Sequence, residues 1–150
     1  MQHFIRALHH SIKQGDTAAV KSLVVTNTIE QRSKLLLVRD SSGKTALQYV
    51  GSAEIAEALL VNLTAEQRLQ FLSIQDKDGN RVIHTAAQQI AKDAMQSFLD
   101  GLAPDQQLKL LSMRNKKGDI PSDCATGRPE TVELLEKCKL VAGRRVKIGE

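Results

Sequence analysis

Apolar and polar positions fall in the same order, without gaps, in three stretches of the chain: residues 27–43, 63–79 and 102–118. Each opens on a polar run carrying Gln31, Gln67 or Gln106, passes through an apolar run holding Leu36, Leu72 or Leu111, and closes on Gly43, Gly79 or Gly118. The pattern predicts a short helix followed by a tight turn. Thr28 with Gln31, and Thr64 with Gln67, have the spacing of a capping box, in which hydroxyl and amide side chains satisfy the free N–H groups at a helix start. In the third stretch Pro104 suits the first helical turn instead. Each glycine stands three residues after Asp40, Asp76 or Asn115, where the chain turns at little steric cost. Asn62-Leu63-Thr64 has the form of a glycosylation acceptor, but it reads more simply as a helix boundary.

After the turns the pattern becomes helical twice over. Residues 44–50 and 80–87 read as first helices and 54–60 and 93–99 as second helices, with Leu59-Leu60 and Phe98-Leu99 in equivalent places. The small Ala86 and Ala87 allow neighbouring helices to approach closely. Taking Leu8, Leu47, Ile83 and Ser122 as equivalent gives spacings of 39, 36 and 39 residues. The main helices of the 36-residue unit are closer in sequence, with 9 residues from Val50 to Leu59 against 12 from Ala86 to Phe98.

Asp76 to Ala87, with its glycine turn and Ile83-His84-Thr85-Ala86-Ala87, resembles the signature of the ankyrin repeat family, Arg81 and Val82 standing where the family has Thr and Pro. Asp40 to Gln48 keeps the Thr and the Leu, at Thr45 and Leu47. Ala7 to Asp16 with Val20 to Leu23 is similar to a first repeat without its turn, and Lys117 to Ala125 with Glu133-Leu134-Leu135 to a degenerate last one. The resemblance implies an all-α fold: an ankyrin-like helical solenoid of about four repeats over 1–138, with extra short helices before the turns, then a basic C-terminal tail at 139–150. The units exceed the family period of ~33 residues, and the surplus falls mainly between the Leu-Leu ends and the glycine turns, where the short capped helix sits. For His84 the resemblance implies a structural hydrogen bond to a neighbouring turn. Armadillo- or HEAT-like stacks also have units of about 40 residues, but the Asp-x-x-Gly turn recurring at one phase favours ankyrin.

Composition narrows the picture. The 150 residues are 41% hydrophobic and 25% charged, as in a globular domain. With no Trp, one Tyr and three Phe the core is expected to be aliphatic, and base stacking on aromatics lacks its platforms. No apolar run is long enough to span a membrane, and the start of the chain is too polar for a secretory signal, so a cytoplasmic or otherwise intracellular protein is expected; a monomer is expected as well. Cys124 and Cys138 are expected as free thiols in a reducing compartment. The net charge of +4 is uneven: Lys139, Arg144, Arg145 and Lys147 against Glu150 give +3 in the last twelve residues.

Function by resemblance is protein recognition. A short solenoid offers a row of turns and a concave helix face to another macromolecule, as an adaptor, inhibitor or scaffold. The residues expected to touch a protein partner are His10, Lys13, Gln14, Tyr49, Thr85, Gln88 and Gln89 on the first helices and Lys44, Lys77 and Arg81 at the turns. Tyr49 is the expected anchor, since aromatic residues carry a large share of interface energy. Bacteria also inject such repeats into host cells, which makes an effector a reading by resemblance alone. No nucleophile elbow, phosphate loop or zinc-binding His pair occurs, so neither catalysis nor a cofactor, metal or small-molecule substrate is expected. The alternative function is a nucleic-acid or anionic-surface binder using the basic C-terminal tail, nucleic acid being the less expected partner.

Overall fold

The structure is a computed structural model that describes residues 2–89 and 92–148; Met1 and Glu150, which entered the reading of the two ends, lie outside the described residues. Among these residues there are nine α-helices, two single turns of 3-10 helix and no strand. The helices are α1 (Gln2–Gln14), α2 (Thr17–Val25), α3 (Ile29–Leu37), α4 (Ala53–Leu60), α5 (Ala65–Leu72), α6 (Val82–Gln88), α7 (Lys92–Asp100), α8 (Pro104–Leu111) and α9 (Pro129–Ile148). The 3-10 turns are Ala46–Tyr49, before α4, and Pro121–Ala125, before α9.

Helix starts follow the local chemistry of the sequence. Thr28 Oγ1 accepts the Gln31 N–H at 3.1 Å while Gln31 Oε1 accepts the Thr28 N–H at 2.9 Å, and Thr64 with Gln67 repeats both distances. At α8, Pro104 takes the first position and Gln106 alone reaches back, accepting the Ala103 N–H at 2.9 Å. Asp16 caps α2 through the Ala19 N–H at 3.1 Å. Asn62, at φ 64°, turns the chain between α4 and α5, the helix boundary read at that position.

The expected first helix over 44–50 contracts to the Ala46–Tyr49 turn. Val50 takes an extended backbone (φ −73°, ψ 125°), and Ser52 already caps α4 by accepting the Ile55 N–H at 3.3 Å. The 9 residues from Val50 to Leu59 leave no room for another turn. At the other end α9 is continuous from Pro129 to Ile148, so the basic residues of 139–148 extend the last helix.

Second helices pack in chain order, α2 on α4 and α4 on α7. First elements also neighbour one another: α1 meets the Ala46–Tyr49 turn, and α6 meets both 3-10 turns. α9 closes the C-terminal end against α8 and the Pro121–Ala125 turn. The core is aliphatic, with Leu36, Leu47, Ile55, Leu59 and Ile83 buried and Phe71 and Phe98 as its rings. Arg32 is buried in α3, its Nη1 donating to the Ala58 carbonyl at 3.3 Å near the C-terminus of α4, where the helix dipole favours a cation. Arg68, its counterpart in α5, lies against Gly101, where a Cβ would fall 2.2 Å from Nη1.

Candidate partner interface

Three turns are built alike. Asp40 Oδ1 accepts the N–H groups of Ser42 and Lys44 at 2.8 and 3.0 Å. Asp76 Oδ1 accepts those of Asp78 and Asn80, both at 2.9 Å, and Asn115 Oδ1 those of Lys117 and Asp119, both at 3.0 Å. Gly43, Gly79 and Gly118 donate back to the carbonyls of Asp40, Asp76 and Asn115 at φ 77°, 76° and 86°. Successive turns are also bonded to each other, the Lys77 N–H to the Ser42 carbonyl at 3.3 Å and the Lys116 N–H to the Asp78 carbonyl at 3.1 Å.

A side chain from each preceding element bolts the next turn in place. Gln48 accepts the Thr45 N–H at 3.2 Å and donates from Nε2 to the Asn80 carbonyl at 3.1 Å. His84 does both jobs one unit later: Nδ1 accepts the Arg81 N–H at 3.2 Å and Nε2 stands 3.0 Å from the Asp119 carbonyl. Acceptance at Nδ1 assigns the proton of a neutral ring to Nε2, which then donates to Asp119. Burial is the main reason the His84 pKa is lowered, the Arg81 charge adding to it.

Tyr49, Lys44 and Lys13 come together at the N-terminal end of this strip. The Tyr49 hydroxyl donates to the Asp40 carboxylate, and the ammonium groups of Lys13 and Lys44 lie 4.5 and 5.6 Å from the ring centroid, within cation–π reach. His9 completes the cluster, its ring 6.2 Å from that of Tyr49. Among the described residues the buried His9 Nε2 has no hydrogen-bond partner. Burial alone would raise the Asp40 carboxyl, but the bonds from Tyr49, Lys44 and Ser42 leave it below its ordinary value. Burial, then the Asp40 hydrogen bond and charge, push the Tyr49 phenol up to about 12.

Tyr49 is the one tyrosine of a chain without tryptophan, so its ionisation is directly visible by ultraviolet absorbance. The phenolate band is expected to rise near pH 12, and Asp40→Asn is expected to move the rise down toward the ordinary value of 10. Asn115 already performs the turn-forming role of Asp40, so the variant removes the charge and keeps the turn. A titration curve unmoved by Asp40→Asn would discard the Tyr49–Asp40 contact.

The predicted contact residues differ in exposure. Lys77, Gln88, Gln89, His10, Lys13 and Gln14 are exposed, and Arg81 is half-buried with Nη1 donating to the Arg114 carbonyl at 3.2 Å. Gln88 lines a polar groove of about 350 Å³ with Asp78, Asn115, Lys117, Asp123 and Cys124. Burial, then the Asp119 charge, raise the Cys124 thiol, so it is protonated at neutral pH and not a ready nucleophile. Thr85 is a correction: it is 2% exposed, 3.3 Å from Gln48 Nε2, and has no surface to offer a partner. Its neighbours Gln88 and Gln89, on the next helical turn, are exposed.

Sequence reasoning passed over His9 as a member of the Tyr49 cluster. The signal was present, because aligning Leu8 with Leu47 and Ile83 places His9 in register with Gln48 and His84. Among the described residues no group of three or more His, Cys, Asp or Glu side chains is placed to hold a metal ion. No protein-family model matches the chain, and no curated protein matches it.

Proposed function

We propose that the chain is an ankyrin-type repeat protein that binds another protein along the strip formed by its turns and first helices. The observation that carries this reading is a constant turn backbone with varying tips. Ser41, Lys77 and Lys116 occupy one position of the three turns and Ser42, Asp78 and Lys117 the next, on identical Asx hydrogen bonds. A rigid row of backbones carrying different polar side chains suits selective recognition, because the partner meets pre-ordered groups and little entropy is lost on binding. Tyr49, held by Asp40 and flanked by two lysines, supplies the anchor. Cys124 and Cys138 are unpaired thiols, which fits an intracellular partner.

The test is affinity capture followed by quantitative binding of the recovered protein. Tyr49→Ala and Lys77→Glu are each expected to weaken binding by about tenfold or more. Melting temperatures measured alongside separate a lost contact from a lost fold. Unchanged affinity in both folded variants would move the interface off this strip.

A further inference from the structure

We propose that the C-terminal part of α9 is a docking surface for anionic lipid headgroups, an activity separate from the protein-binding strip. Residues 137–148 carry Lys137, Lys139, Arg144, Arg145 and Lys147 and no acidic residue. None of the five cations forms an ion pair with a described acidic residue. The inner side of the helix is fixed in the protein, with Thr131, Leu135 and Ala142 at 0%, 2% and 0% exposure. At about 100° per residue, Leu140, Arg144 and Lys147 share the opposite face.

That face is not purely polar. Leu140 is 57% exposed and the adjacent Val141 40%, and Leu140 lies in a shallow, mostly apolar surface bordered by Lys139, Arg144 and Lys147, with Glu136 at its rim. A leucine standing among unpaired cations fits a bilayer surface, where the headgroup boundary takes up the apolar side chain and lipid phosphates meet the cations. Duplex DNA would use the cations and leave the leucine in water. No described helix is long and apolar enough to cross a membrane, so the contact is peripheral.

The experiment is co-sedimentation of the full chain with vesicles of phosphatidylcholine alone or mixed with phosphatidylserine, at low and at physiological salt. Retention is expected on the mixed vesicles only, weakening as salt rises. Arg144→Glu with Arg145→Glu is expected to reduce partitioning by about a hundredfold or more, since each surface cation contributes severalfold. Leu140→Ser keeps every charge and is expected to reduce partitioning about tenfold. All three positions are solvent-facing, so far-UV circular dichroism is expected to stay unchanged. Equal retention on neutral vesicles, or no retention on either, overturns the proposal. Full retention by Leu140→Ser, with duplex DNA bound in the same concentration range, overturns it in favour of a nucleic-acid contact.

Discussion

Gly79→Ala is expected to lower the free energy of unfolding by about 3 kcal/mol, and Gly118→Ala by only about 1 kcal/mol, both measured by chemical denaturation. The two glycines share the left-handed conformation, at φ 76° and 86°, so any side chain is strained at either position. They differ in what surrounds them. At Gly79 a Cβ would stand 2.7 Å from the Lys116 backbone nitrogen, whereas at Gly118 nothing lies within 4 Å. The obstruction at Gly79 is main chain, which cannot swing aside as a flexible side chain could. The third turn must therefore retreat, and the Lys116 N–H to Asp78 carbonyl bond is lost with it. Gly43, with Lys77 N at 3.1 Å, should fall between them. Equal losses at Gly79 and Gly118 would mean that contact between turns contributes nothing to stability.

His84→Ala is expected to cost about 3–4 kcal/mol, while His84→Gln retains most of the stability. The alanine variant leaves the Arg81 N–H and the Asp119 carbonyl without their partner and opens a cavity at a side chain that is 0% exposed. Glutamine has the same acceptor and donor reach, as Gln48 demonstrates one unit earlier by bridging Thr45 N–H and the Asn80 carbonyl. Either variant also removes a pH dependence that the histidine carries. The folded His84 pKa lies below its ordinary value of 6.5, so the unfolded chain takes up protons more readily than the folded one. Stability is thus fully present above about pH 6.5 and is lost as pH falls from there through the folded pKa. In His84→Gln that loss should shrink to the share left by His9, whose pKa burial also lowers. A glutamine variant as unstable as the alanine one would show that the ring's shape, and not its two hydrogen bonds, holds the site.

What could be read in the sequence was what short range determines. Capping at Thr28 and Thr64 depends on partners three residues away, and the turns at Asp40, Asp76 and Asn115 close within four, so composition and spacing were enough. The first element of the second unit was less legible, because whether 44–50 makes a helix is decided by where Ser52 starts the next one. Thr85 was misplaced for a related reason. The resemblance puts it on the concave side of a first helix but does not say that Gln48, 37 residues earlier, packs against it. Arg32 was invisible as a buried residue, since its acceptor at Ala58 lies 26 residues on, in a helix whose position no local pattern sets. The basic segment at 139–150 read as a tail because its net charge of +3 sets it apart from the nearly neutral remainder of the chain. The long α9 keeps Gly143 helical, with Ala142 packed inward.

The hydrogen bonds from one unit to the next carry a consequence for how the molecule comes apart. Among the described residues, every side-chain hydrogen bond joining distant parts of the chain spans 26 to 42 residues, about one unit length. None reaches across two. In the repeat architecture proposed above, cooperativity would be a nearest-neighbour quantity, and a unit at either end, with one neighbour instead of two, would be the first to melt. Tyr49 reports on the N-terminal half alone, so its absorbance and the far-UV signal of the whole chain should follow separate unfolding curves whenever the coupling through Gly79 is weakened.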